Sequence, residues 1–109
     1  MANTFKLKTK ANVGVSTVGI YTAPAATTTV VIGITMANTS GSGVNVGVGI
    51  TRAGTTEDVK LLKNAPIPQG SSLEFMAGNK IVLEATDTVT VDSDTNNSVD
   101  AALTIMEIK

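Results

Sequence analysis

Histidine and cysteine are both missing from this sequence of 109 residues, and aromatic rings are confined to Phe5, Tyr21 and Phe75. Losing histidine removes the commonest general base, the commonest transition-metal ligand and the ordinary pH switch together. With no thiol either, the familiar nucleophile–histidine arrangements cannot be assembled. The absence of cysteine also tilts the chain toward synthesis in a reducing cytoplasm, since small secreted domains commonly carry disulfides. The shortage of rings leaves almost no stacking platform for RNA bases or for sugars.

Charge and long apolar runs are scarce as well. Eight Lys and Arg against nine Asp and Glu leave a net charge of −1. That is too little positive charge for a phosphate-binding surface, so no nucleic-acid partner is expected. No run reaches the ~18 apolar residues of a membrane span. The opening Met1-Ala2-Asn3-Thr4-Phe5-Lys6 lacks the basic-then-apolar layout of a signal peptide, so no membrane partner is expected either.

What remains is a β-former's vocabulary. Residues 1–109 fit one domain, and with 42% apolar content but few rings the core must be built from Val, Ile, Leu, Met and Ala. Such side chains bury less area than rings do, so association with neighbours is a natural supplement. Strand-like runs recur between turn signals at spacings of about 8–12 residues, which predicts an all-β sandwich, jelly-roll or Ig-like, of about eight strands with little or no helix.

Phe5 and Leu7 alternate with Lys6 and Lys8, a strand with one wet face; a β-prone stretch follows at Thr17–Thr22. Ala23-Pro24-Ala25-Ala26 reads as a turn or a crossing between sheets. Val30, Ile32, Ile34 and Met36 are predicted to share one face, and Val44, Val46, Val48 and Ile50 another. Opposite the second set stand Gly47 and Gly49, which mark a bulge, a flat solvated face or the close approach of another group. Thr55-Thr56-Glu57-Asp58 predicts a turn before a strand at Val59–Lys63. Ala65-Pro66-Ile67-Pro68-Gln69-Gly70 should then break the ladder and carry the chain across to the other sheet. Leu73–Met76, a turn at Ala77-Gly78-Asn79, Ile81–Glu84 and the alternation at Val89 and Val91 continue the pattern to a last strand at Val99–Ile108.

That last strand is apolar on both faces, Leu103 and Ile105 on one and Met106 and Ile108 on the other. Strands of this kind are covered on both sides, so Met106 and Ile108 are candidate interface residues. No tail is expected beyond it. Lys6, Lys8 and Lys10 place three ammonium groups on one strand face. They suit an acidic partner surface, or equally a charged edge strand that resists sheet-to-sheet aggregation.

Other constellations are weaker. The carboxylate pairs Glu57–Asp58 and Glu84–Asp87 sit beside turns, where acids bond to nearby backbone amides rather than hydrolyse sugars. Asp92-Ser93-Asp94-Thr95-Asn96 copies the first half of a calcium loop, but Asn97 replaces the turn glycine and Leu103 the bidentate Glu. A different calcium site using Asp92, Asp94 and Asp100 is less well supported than a solvated loop. Gly41-Ser42-Gly43 lacks the Lys and helix of a phosphate loop. No catalytic residue, metal site or cofactor is therefore expected.

Four stretches resemble small virion proteins of tailed bacteriophages. They are Ile20-Tyr21-Thr22-Ala23-Pro24-Ala25-Ala26-Thr27-Thr28-Thr29-Val30-Val31-Ile32-Gly33-Ile34; Lys63-Asn64-Ala65-Pro66-Ile67-Pro68-Gln69-Gly70-Ser71-Ser72-Leu73-Glu74; residues 78–87; and residues 98–108. Together they cover most of the chain from residue 20 onward. The resemblance implies a non-enzymatic virion component made in the host cytoplasm. It would be a capsid decoration (cement) protein bridging coat subunits, or a neck, tail or baseplate accessory protein. Its partners would be itself, with a homotrimer favoured, and the major capsid protein or neck and tail proteins. No site residue is carried over from that group. A carbohydrate- or receptor-binding module is the rival from another class, since sandwiches host many such sites.

Overall fold

A computed structural model describes residues 3–54, 57–75 and 80–109. The strands are β1 (Asn3–Val13), β2 (Val18–Thr22), β3 (Thr28–Asn38), β4 (Val44–Thr51), β5 (Asp58–Ile67), β6 (Ser72–Phe75), β7 (Ile81–Leu83), β8 (Thr88–Ser93) and β9 (Val99–Ile108). Among the described residues there is no helix, as the sequence predicts. The turns expected at Thr55-Thr56 and Ala77-Gly78-Asn79, with the strand end at Met76, lie outside the described residues.

Two antiparallel sheets form the sandwich. One has the order β1-β9-β3-β6, with β7 also on β3; the other has the order β2-β8-β4-β5. β6 pairs Ile34–Ala37 and β7 pairs Thr29–Val31, so the two lie end to end along β3 as one interrupted edge strand. Counted so, eight strands wrap alternately from sheet to sheet, and β4–β5 is the one consecutive pair joined within a sheet. That is the double Greek-key path of a jelly roll, which decides between the two predicted sandwich types. The crossing at Ala23–Ala26 is where the sequence places it. The other proline-rich crossing is shorter than expected, because β5 continues through Pro66, paired with Asn45, to Ile67. An edge strand tolerates a proline whose missing N–H would face away from the ladder.

The core follows two-residue alternation. From β4 come Val44, Val46, Val48 and Ile50, as predicted, and from β9 Val99, Ala101, Leu103 and Ile105. β3 departs from the predicted pattern. Its register against β9 shifts between Val31 and Gly33, an extra residue that reverses which side chains point inward. Val31, Ile34 and Met36 are buried, whereas Val30 faces out, paired with the outward Met106 and Val82. The run Val30-Val31-Ile32 is apolar at every position, so alternation alone could not reveal the slip.

On the outer face of the second sheet the β4 glycines have a specific cause. A Cβ at Gly47 would lie 2.6 Å from Asp92 Oδ1 and 3.2 Å from the Leu62 carbonyl oxygen; one at Gly49 would lie 3.0 Å from the Val59 carbonyl oxygen. The β4–β5 register also shifts at this point, so bulge and close approach coincide. Gly47→Val is expected to destabilise the fold by about 1–3 kcal/mol through overpacking, read as a lower urea midpoint with an unchanged slope.

Candidate interaction surface

β9 divides the chemistry of its sheet. Val99, Ala101, Leu103, Ile105 and Glu107 face the core, and Asp100, Ala102, Thr104, Met106 and Ile108 face out. Cross-strand partners share a face, so register assigns β1 directly. Lys6, Lys8 and Lys10 pair with Ile105, Leu103 and Ala101, on the inner side. Phe5 and Leu7 pair with Met106 and Thr104, on the outer side. The wet face expected of β1 is therefore inverted: Phe5 is 68% and Leu7 64% exposed, while Lys6 and Lys8 are half-buried. β1 is an edge strand with little of the opposing sheet above it, so lysine stems can lie along the rim and reach water or an internal partner.

Lys6 has such a partner. Its Nζ stands 3.0 Å from Oε1 of Glu107, a residue only 1% exposed. The Tyr21 hydroxyl donates to Glu107 Oε2 at 2.7 Å and lies 2.8 Å from Thr29 Oγ1. With its one proton directed at the carboxylate, Tyr21 must accept from Thr29. This network ties β2 of one sheet to β1, β3 and β9 of the other. Burial, then the neighbouring Glu107, push the Tyr21 hydroxyl up to about 12. The hydrogen bond from Tyr21 and the Lys6 ammonium outweigh burial at Glu107 and hold its carboxyl below the usual range.

The five residues singled out from sequence thus fall on opposite sides of one sheet. Met106 and Ile108 lie outside and half-exposed, walled laterally by β1 and β3; the lysines lie inside. The outer patch is larger than sequence suggested. Phe5, Leu7 and Val30 join it, with Val82 of β7 59% exposed beside Val30. Farther along the same face is a depression of about 360 Å³ lined by the small residues Thr9, Ala11, Thr35, Ala37 and Ala102 together with Lys10 and Asp100. The outer face of the other sheet is different. There Thr22 bonds to Thr88, Thr51 to Asp58, and Thr17 to Asp92, a polar covering with its hydrogen bonds made.

The acidic candidates are engaged separately. Asp92 accepts from Thr17, Asp94 from the Asn45 N–H and Asp100 from the Asn12 N–H. Among the described residues no group of three potential metal ligands converges. Asn97 adopts φ 50°, a left-handed conformation Asn accepts, where the calcium loop would want glycine. Asp87 behaves as a turn acid: burial pushes its carboxyl up, but the N–H groups of Glu84 and Ala53 and the Arg52 guanidinium outweigh that and lower it. Arg52 also pairs with Glu84.

No protein-family model and no curated protein sequence matches this chain. Several solved structures share its fold. A chain of the T13 viral particle of IBDV aligns with TM-score 0.59 and 14% identity over 97% of this chain. This chain spans only 31% of that longer protein. A chain of the cyanophage Pam1 capsid asymmetric unit aligns with TM-score 0.57 and 17% identity, covering 95% of this chain and 85% of that one. A chain of Bacillus endospore appendages, described as disulfide-linked pili, aligns with TM-score 0.53 and 16% identity over 96% and 85%. At these identities the likeness is one of fold.

Proposed function

We propose that this chain is a structural component of a virion, a decoration or cement protein that seats on a capsid lattice and ties neighbouring coat subunits together. The observation that carries the reading is the uncovered apolar face of the β1-β9-β3-β7 sheet. Phe5, Leu7, Met106 and Ile108 are gathered there, whereas the outer face of the other sheet carries threonines bonded to Thr88, Asp58 and Asp92. Contiguous exposed apolar surface of this kind is a mark of association. The mechanism is burial of that surface, with many modest contacts multiplied by symmetry. The jelly-roll likeness to the cyanophage capsid chain over nearly the whole length supports it. A pilus subunit is the competing assembly role, but the disulfide links of the endospore appendages need thiols that this chain does not have.

Met106→Asp with Ile108→Ser should leave a soluble, folded chain that no longer associates with itself or with particles, measured by sedimentation and co-purification. Quantifying the chain in purified full heads and isolated tails tests the role itself. Hundreds of copies in heads are expected of a shell protein, roughly a dozen in tails would move it to the tail axis, and none in either overturns the reading.

A further inference from the structure

We infer that the apolar face is occupied by a second copy of this chain, packed sheet against sheet about a two-fold axis that runs across the strands through the Leu7–Thr104–Gly33 row. This rests on reading that face as an interface, and it names the occupant. The outward rows run in order along the strands. On one side of Leu7–Thr104–Gly33 stands Phe5–Met106–Val30–Val82; on the other stands Thr9–Ala102–Thr35. The first row projects large side chains, and the second floors the depression of about 360 Å³. A two-fold in the plane of the interface exchanges the two rows, so that Phe5 and Met106 of each copy enter the small-residue depression of the other. Shape on one end of the face matches shape on the other end, which is what an isologous contact requires.

Charge and area agree. The charged residues in the outward rows are Glu74, which continues the Thr9–Ala102–Thr35 row, and Asp100, which lines the depression together with Lys10. The two-fold carries the acids of one copy to the opposite end from those of the other, so no like charges meet. Four strands at ~4.8 Å and about nine residues at ~3.3 Å give a footprint of roughly 600 Å². The accessible surface of a corrugated face exceeds its footprint, which approaches the roughly 800 Å² per partner of a standard stable interface. Aligned packing of two sheets about 10 Å apart accommodates this geometry. The polar outer face of the other sheet is left free on both copies.

Sedimentation equilibrium of the wild-type chain should give twice the chain mass. Phe5→Ala with Met106→Ala removes the projections, and Ala37→Leu with Ala102→Leu fills the depression. Each variant alone should dissociate at least ~100-fold more readily while keeping the wild-type circular dichroism spectrum. Mixed in equal amounts, the two should form a heterodimer, because projections remain on one and an open depression on the other. A cysteine-free background adds a measurement that needs no disruptive change. Thr104→Cys lies on the axis and should cross-link to its copy with a short bis-maleimide, whereas Thr90→Cys, on the polar outer face, should not. A wild-type monomer, a trimer, equal association by both variants, or cross-linking at Thr90 but not Thr104 would each overturn the two-fold contact. A dimer that is absent from purified particles would instead sink the virion role and leave this contact standing.

Discussion

Leu103→Ala should cost about 2–5 kcal/mol, toward the upper end of that range, and lower the melting temperature by roughly 10–20 °C. Leu103 is fully buried at the centre of β9, between β1 and β3. It borders a small internal void shared with Val31, Ile34, Val48, Ile50 and Val89. Deleting its side chain enlarges that space. The residues lining it are branched aliphatics fixed on strands, which have few alternative rotamers with which to fill it. A loss below about 1 kcal/mol in urea melts would show that the two sheets close over such a gap and that the core is looser than its packing implies.

The second large effect concerns Lys6, and its direction runs against ordinary expectation for a surface lysine. Lys6→Met should destabilise the fold by about 2–4 kcal/mol at neutral pH. It leaves the buried Glu107 carboxylate with Lys109 at 3.9 Å as its remaining cation, and an uncompensated buried charge is costly. The figure is kept below that of a fully buried pair because the Lys6 side chain is 38% exposed. Glu107→Gln should cost less, since the amide oxygen still accepts from Tyr21 and a freed Lys6 can turn to water. Equal losses in the two variants would mean that each removes the same pairwise attraction and that the carboxylate left behind in Lys6→Met carries no further penalty.

Acid dependence follows from the same residue and from Asp87. Both carboxyls lie below their ordinary values in the folded chain. Each therefore contributes stability that is complete above the unfolded carboxylate range, about pH 4–4.5, and is lost as pH falls through the lower folded values. In Lys6→Met the Glu107 carboxyl is less depressed, so the gap between variant and wild type should narrow on acidification. Melting curves at pH 7 and at successively lower pH measure that gap directly.

Much of the fold was legible in the residues, and the illegible parts have identifiable causes. Alternation in β4 gave the buried set correctly, because Asn45, Gly47, Gly49 and Thr51 mark the opposite face; in β9 it separated Leu103 and Ile105 from Met106 and Ile108 without showing which pair meets the core. It failed in β3, where Val30, Val31 and Ile32 are all apolar and a bulge at Gly33 moves the inward set by one. It also misled in β1. Phe5-Lys6-Leu7-Lys8 states that two faces differ but not which one meets the core, and hydrophobicity points to the wrong answer. The clue lay at the far end of the chain, in Glu107, an acid on the same face of β9 as Leu103 and Ile105, whose partner had to be a cation on a neighbouring strand.

By itself, then, the sequence determined the class of structure, the alternating core of β4, one crossing between sheets at Ala23–Ala26, and the lack of histidine–thiol chemistry. These are local properties, set by side-chain period and by which residues are present. Only the tertiary structure decided the jelly-roll path, the inward turn of Lys6 and the gathering of Phe5, Leu7, Val30, Val82, Met106 and Ile108 on one open face. Those features depend on which distant strands become neighbours and in what register. A shift of one residue in that register exchanges the buried and the exposed face.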